Sequence, residues 1–473
     1  MKPDRLSCQS ELSCSASKLF DWHMRPGAFE RLSPPWEVVR VERWVEPDQL
    51  GEGPVMRLKM GPLWLRWVAR YTDWQAGRQF RDVAVRSPFA SWDHLHICSP
   101  SGTDGQSSTL EDRIDYALPG GVLGRLLAGR STRGQLKRMF AYRHRTTVGD
   151  LAAHQQSGEA TMKIVVAGAS GLVGKALIPF LTSGGHRVVQ LVRGGRRLPA
   201  PEMGSTAPAV TSAEWDPERG TIDTAALEGV DAVVHLGGAG IADRRWTPSY
   251  KELIKTSREV STRVLSEALA KLKNPPKVFV CASAIGMYQD EGDKWIDEQS
   301  ASSNSYLGQV CQAWEDATKP AVDSGIRVVN LRIGVVLSAR GGALAKMLLP
   351  FKLGAGGNLG SGRQYMSWVA IDDVLGSILH AINTESLCGP VNVVSPHPVT
   401  NAEYTKTLGR VLRRPTIFPM PAFAARLAFG EMADALLLAS QRVKPGRLVE
   451  SKYQFRYPEL EDALRYQLGR IKA

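Results

Sequence analysis

The chain has 473 residues and a formal net charge of +12 with a pI near 9.4; this is too long for one ordinary core and predicts two or three domains and an anionic partner such as a phosphorylated cofactor, while no nucleic-acid motif accompanies the charge. No run reaches the roughly 18 apolar residues of a membrane span, and MKPDRLSCQSELSCS has no apolar leader core, so stable membrane insertion is not expected and a cytoplasmic protein is. The six cysteines form no CxxC pair and the histidines do not cluster along the chain, which predicts reduced thiols rather than a disulfide scaffold, and no metal centre.

Residues 1–151 begin with a helix predicted over 16–25. The runs EVVRVERWV, PVMRLKMG, LWLRWVARYTDW, RQFRDVAVR and ASWDHLHICS follow. Apolar and polar residues alternate within them, and Gly, Pro and Asp separate them, which predicts an antiparallel sheet. A last strand over 108–116 precedes a long helix. Its basic segment, 125–145, carries Leu136, Met139 and Phe140 as one apolar stripe, with the cations on a solvated face. His94 and His96 alternate on one strand and so share a face of the sheet. A paired metal or acid/base role is open to them, but packing or hydrogen bonding is expected rather than catalysis, beside a pocket for a small apolar ligand. The segment AAHQQSGEATM, 152–162, reads as a linker.

Residues 163–181, KIVVAGASGLVGKALIPFL, join a short buried strand to a glycine turn and an amphipathic helix. Gly168 permits the tight turn, Gly171 lets backbone N–H groups approach a pyrophosphate, and Gly174 lets the helix pack on the strand; Ser170, Leu172 and Val173 complete the phosphate cradle. HRVVQLV, 186–192, completes a βαβ unit. Arg193 ends this strand, Arg196 and Arg197 follow, and no carboxylate lies between Val188 and Pro201. This predicts NADP(H) in preference to NAD(H), because an acidic residue there would bind the ribose 2′-OH. DAVVHL, 231–236, runs into GGAG, so that Leu236, Gly237 and Gly238 form a second edge for a nicotinamide nucleotide. KVFVCA and RVVNL are further buried strands, giving an α/β, doubly wound parallel sheet.

Arg244, Arg245, Lys251 and Arg258 follow this edge, and Arg363 and Gln364 lie in GAGGNLGSGRQ. Such groups suit a phosphorylated or carboxylated small-molecule substrate, with Arg245, Arg363 and Gln364 as the candidate contacts. Arg332 ends a buried strand and is expected to pair with Asp372 or Asp373.

The phrases SPFASWDHLHICS, LEDRIDYALPGG and KRMFAYRH resemble the polyketide cyclase/dehydrase-like branch of the START and Bet v 1 superfamily. That resemblance implies an α+β helix-grip domain over 1–151 that encloses an apolar ligand. From 163 to 468 the chain resembles the extended short-chain dehydrogenase/reductase superfamily, and within it the YfcH-type epimerase-like family. GASGLVG, WDPERG, HLGGAGIADRRWT, SREVSTR, SAIGMY, WED and GPVNVVSPHPVTNAEY carry the likeness. It implies a Rossmann domain over 163–417, a small C-terminal module over 418–473, and an NADP(H)-dependent oxidoreductase or nucleotide-sugar epimerase-like activity. The superfamily normally uses a Tyr, a Lys four residues on, and a Ser or Thr on the preceding strand. Aligned on Glu315, this chain has Leu307 and Cys311 at the first two positions. Tyr306 lies one residue, about 100° of helix, away, and its i+4 partner is Val310. Ser283 is then the expected hydroxyl and Tyr288 the expected proton donor. Loss of the Tyr/Lys pair equally suits a non-catalytic NADP(H)-binding sensor or scaffold coupled to a lipid-like ligand.

Overall fold

The alternating runs of the first third fold into one antiparallel sheet. The computed structural model describes residues 3–103, 105–158, 160–194 and 209–471; Arg196 and Arg197 lie outside them. The strands are β1 (Asp4–Leu12), β2 (Val39–Arg43), β3 (Val55–Met60), β4 (Leu63–Gln75), β5 (Gln79–Arg86), β6 (Ser91–Ser101) and β7 (Ser107–Ala117), in the order β1-β7-β6-β5-β4-β3-β2. From β2 to β7 consecutive strands pair, as short connections favour, and β1 joins the edge beside β7. β1 is absent from the sequence reading because only its Leu6 and Leu12 are buried, too weak an alternation to notice. Helix α1 (Ala16–Met24) is capped by Ser15, whose hydroxyl accepts from the Lys18 N–H, and α2 (Ala28–Leu32) follows. The long helix α3 (Gly121–Gln156) lays Leu136 and Phe140 against Leu6, Trp92, Ile114 and Tyr116 of the sheet.

Helix α3 corrects the expected linker. Residues 152–156 form its last turns, because His154 stacks on Phe180 with ring centroids 4.5 Å apart and makes a 3.0 Å bond to the Phe180 carbonyl. Tertiary packing overrides a small, polar composition there.

The second unit is the predicted doubly wound sheet. Its strands are β8 (Lys163–Ala167), β9 (Arg187–Val192), β10 (Val210–Asp216), β11 (Thr221–Ile222), β12 (Ala232–His235), β13 (Val278–Ala284), β14 (Arg327–Ile333) and β15 (Gly389–Val393). The order is β11-β10-β9-β8-β12-β13-β14-β15, parallel except for β11. Helices α4 (Leu172–Ser183) and α8 (Ile371–Asn383) cover one face, burying Leu177, Phe180, Leu375 and Ile378. On the other face α5 (Pro248–Ala270) and α6 (Tyr306–Asp316) bury Leu265, Leu269 and Trp314. Helix α7 (Gly342–Lys352), α9 (Asn401–Leu412) and α10 (Leu460–Gln467) form a third core around Trp368, Tyr404 and Tyr466. The C-terminal segment is interleaved with the rest: Arg442–Val443 pairs with Trp295–Ile296, and Tyr466 stacks on Tyr142 of α3. No helix among the described residues is long and apolar enough to cross a membrane.

The two units meet through a buried ionic cluster. Arg31 of α2 donates to both oxygens of Asp150 at 2.7 and 2.8 Å and to Asp372 of α8 at 2.6 Å, while Arg456 donates to Asp150 at 2.8 Å. At Gly27, with φ of +91°, any Cβ would collide with the Pro179 carbonyl of α4, so the backbone itself is the contact.

Burial holds His154 and His235 down to about 3 and His186 to about 4, so all three fold as neutral imidazoles. An unfolded histidine takes up its proton near pH 6.5, so the unfolded state binds more protons below that value and stability falls as pH drops. Asp373 runs the other way: burial raises it to about 6, and its protonation in the fold offsets part of the loss. Burial also raises Glu30, Glu37 and Glu46, but His23, likewise held at about 4 by burial, joins the three histidines, so the thermal midpoint is expected to fall between about pH 6.5 and about pH 4.5. A flat midpoint across that window, followed by scanning calorimetry, rules this account out.

Candidate functional site

The carboxyl ends of β8, β9, β12 and β13 gather the expected cofactor residues. Gly168 ends β8 with φ of +84°, and a Cβ there would lie 2.6 Å from the Leu236 carbonyl carbon and 2.7 Å from the Gly237 nitrogen. The two glycine-rich edges therefore touch, backbone to backbone. At Gly174 a Cβ would lie 2.8 Å from Cα of Ala169, so the third glycine is required for the helix to seat on the turn. Gly171 is the N-cap of α4, and no side chain caps that end. A Cβ on Gly171 would meet only the Gly168 carbonyl, at 3.3 Å, so the space above the first turn is open. Leu172 and Val173 are half-buried and Ser170 exposed. Uncapped N–H groups and the positive end of the helix dipole face that space, which is the physical requirement for a pyrophosphate.

Arg193 follows β9 and is exposed; its neighbours Val192 and Gly194 line a cleft of about 670 Å³ with Trp215, Asp216 and Arg219. At the second edge, His235 is fully buried, 3.1 Å from the Ser261 hydroxyl, and the Gly237 N–H donates to its Nδ1. Burial keeps this imidazole neutral, and the positive charges of Arg193 and Arg258 act in the same direction. Arg258 stacks over Trp314 at 4.9 Å and pairs with no carboxylate among the described residues; a Cβ on Gly238 would lie 3.0 Å from its guanidinium carbon.

Ser283 and Tyr288 are brought together by two residues the sequence reading did not join. Ser283 donates to Glu315 at 2.7 Å, Arg332 clamps both oxygens of Glu315 at 2.8 and 2.9 Å, and Arg332 also donates to the Tyr288 oxygen at 2.9 Å. Tyr288 in turn donates to Asn392 at 2.7 Å. Both hydrogen-bonding roles of Tyr288 are thus filled, the residue is 3% exposed, and burial pushes its phenol up to about 12. The expected proton donor thus bonds within the protein at both positions, and Arg332 pairs with Glu315, which corrects its expected pairing with Asp372 or Asp373. Asp372 is taken by Arg31, and Asp373 accepts from the backbone N–H groups of Arg456 and Tyr457. Leu307 and Cys311 are buried beneath Gly286, with the Cys311 thiol raised to about 12 by burial and bonded to the Ala284 carbonyl. Tyr306 turns away, donating to the Lys251 carbonyl and packing on Trp246.

The expected substrate residues differ in exposure and partners. Arg245 is exposed, with Gly430 of the C-terminal segment close to its guanidinium, and Lys251 pairs with Glu431 at 2.8 Å, so this segment closes over the loop after β12. Arg363 is exposed, whereas the Gln364 amide donates to the Leu359 and Leu437 carbonyls. Gln364, expected as a substrate contact, therefore uses its amide N–H groups to tie the glycine-rich loop to the C-terminal segment. Glu315 entered the sequence reading as part of WED and as the anchor of the Tyr/Lys alignment, and Asn392 only as part of GPVNVV; nothing local marks either as a partner of Ser283 or Tyr288.

Residues 164–394 match the model of the NAD dependent epimerase/dehydratase family, and 420–467 match a domain of unknown function, DUF1731. The chain is 43% identical over 307 residues to an epimerase family protein of Mycobacterium bovis, covering 65% of this chain and 98% of that one. Among solved structures, a nucleoside-diphosphate sugar epimerase from Corynebacterium glutamicum superposes with a TM-score of 0.77 at 33% identity, covering 98% of this chain and 90% of that one. The human epimerase family protein SDR39U1, solved with NADPH, gives 0.58 at 32% identity, covering 66% of this chain and all of that one.

Proposed function

Because the chain belongs to the epimerase family of NAD(P)-binding proteins, we propose that it is an NADP(H)-dependent oxidoreductase or nucleotide-sugar epimerase-like enzyme acting on a small-molecule substrate. The observation that carries this reading is the uncapped N-terminus of α4 above the glycine turn, with Arg193 at the end of the next strand. NADPH in the human relative supports the cofactor choice. The backbone of Gly171, Leu172 and Val173, with Ser170, would hold the pyrophosphate; Arg193 would take the 2′-phosphate and Leu236, Gly237 and Gly238 the nicotinamide half. When bound, that group supplies hydride transfer. Ser283, its proton directed at the Glu315 carboxylate that Arg332 clamps, accepts a hydrogen bond from a substrate hydroxyl and passes the proton toward Glu315. Tyr288 is the positioning residue that fixes Arg332. Arg245 and Arg363, both exposed cations, would meet an anionic substrate group. The N-terminal sheet with α3 serves as a helix-grip domain for a small apolar ligand, and the whole is cytoplasmic.

Fluorescence titration with NADPH and NADH tests the cofactor. We expect Arg193→Ser to weaken NADPH at least about tenfold, the loss of one charge-assisted contact, and to leave NADH within about twofold. An equal loss for both nucleotides removes Arg193 from the 2′-phosphate.

One observation favours a second reading, a cofactor-binding sensor without turnover: both hydroxyls near the reacting edge are already bonded within the protein, and the Tyr/Lys positions are Leu307 and Cys311. Tight NADPH binding with no oxidation across a panel of carbonyl compounds, in wild type and Ser283→Ala alike, selects the sensor. Turnover lost in Ser283→Ala with NADPH binding intact selects the enzyme.

A further inference from the structure

The inner face of the N-terminal sheet holds a polar cluster that the cofactor site does not use, and it lies outside both family-model matches. On adjacent strands, Asp82 of β5 stands opposite His94 of β6, and Asp112 of β7 stands opposite His96. All four side chains therefore share one face, and His144 of α3 closes over them. Asp82 Oδ2 lies 3.5 Å from His94 Nδ1 and 3.8 Å from His96 Nε2, both too long for hydrogen bonds. The three donor atoms nevertheless converge, all within 4.8 Å of one another.

The two Asp82–histidine separations are near those of ligands around a cation, and the His94 and His96 rings, with centroids 3.8 Å apart, would open slightly to share one. With metal–nitrogen and metal–oxygen bonds of about 2.1 Å, tetrahedral ligands stand about 3.4 Å apart. The outer sides of the rings are braced as metal-bound imidazoles usually are. His94 Nε2 is 2.9 Å from Asp112 Oδ1, and the other Asp112 oxygen is bonded to His144 Nε2, also at 2.9 Å, whose Nδ1 is bonded to Ser10. His96 Nδ1 approaches the same Asp112 oxygen to 2.7 Å but out of line for a ring N–H, and this buried nitrogen has no hydrogen-bond partner. Phe80, stacked on His96 at 4.0 Å, and Phe140, edge-on to His94 at 5.1 Å, fix the two rings.

We propose that Asp82, His94 and His96 form a binding site for one divalent first-row transition metal, with Asp112 and His144 as its supporting shell. Two imidazoles and one carboxylate suit Zn²⁺, Co²⁺ or Fe²⁺ and discriminate against Mg²⁺ and Ca²⁺, which prefer oxygen alone. Three protein ligands leave a coordination position for water or a ligand. The sequence reading expected no metal because the two histidines alone are a pair, and the third ligand arrives only through strand register.

The test uses the full-length protein, stripped with chelator and titrated with Zn²⁺ by calorimetry and with Co²⁺ by visible d–d absorption. One equivalent of metal is expected, with the intensified Co²⁺ bands of a low-coordinate nitrogen and oxygen site. Asp82→Asn and His96→Gln should each weaken Zn²⁺ at least about 100-fold, and His144→Gln about 10-fold, the range for lost supporting contacts. Unchanged circular dichroism and thermal midpoint of the metal-free variants report that the N-terminal sheet is folded, and unchanged NADPH affinity in all three keeps this result separate from the cofactor assignment. Absence of binding at micromolar Zn²⁺ in the wild type, or equal affinity in wild type, Asp82→Asn and His96→Gln, overturns the site.

Discussion

Gly171→Asp is expected to lose NADPH binding by at least about two orders of magnitude, some 2.7 kcal/mol, while the protein melts at or slightly above the wild-type temperature. Gly171 has φ of −73° and ψ of 174°, extended angles that aspartate adopts without strain. It is also the N-cap of α4, which no side chain caps, and aspartate is among the best N-cap residues; relative to glycine it adds a few tenths of a kcal/mol. The carboxylate would satisfy the same N–H groups, and place its charge in the same space, that the pyrophosphate needs. Helix stability and cofactor affinity should therefore move in opposite directions. Scanning fluorimetry beside NADPH titration checks this: a variant that melts early has merely misfolded, and one that still binds NADPH normally shows that the phosphate lies elsewhere.

Arg31→Met is expected to destabilise the chain by about 3–5 kcal/mol, the usual cost of removing one partner from a buried ion pair. Arg31 is 7% exposed and answers two buried carboxylates, Asp150 and Asp372. Without it, Arg456 alone faces both, at 2.8 and 3.9 Å. The double variant Arg31→Met, Asp372→Asn restores the charge balance and should recover part of the loss, because the penalty arises from the uncompensated charge rather than from the missing contact. Chemical denaturation of the four proteins in the cycle measures the coupling. If the two losses simply add, the cluster is not acting as an ionic unit.

The parallel-sheet half was legible because its signals are local. A five-residue apolar strand, three glycines and an amphipathic helix lie within nineteen residues, and each strand from β8 to β14 except β10 and β11 could be read as a short apolar run. The relay at Ser283 was not legible. Glu315 and Arg332 come from α6 and β14, and Tyr288 reaches Asn392 across 104 residues, so their meeting follows from strand order and helix packing, which no spacing in the chain encodes. The same distinction explains the N-terminal cluster: the alternation of His94 and His96 is a property of one strand, whereas Asp82 and Asp112 join them through hydrogen-bonded register with two others. Arg332 was assigned to the wrong acids for this reason, since Asp372 and Asp373 are conspicuous as a pair but face Arg31 and the backbone near Tyr457.

Helix α3 runs for 36 residues, about 54 Å at 1.5 Å per residue. Its middle rests on the sheet that carries the histidine cluster, and its last turns rest on α4, the helix whose opposite end faces the proposed phosphate. Mechanically it is a beam clamped at two points, with His144 near one clamp and His154 near the other. A swivel between the units would have to bend the beam or break a clamp.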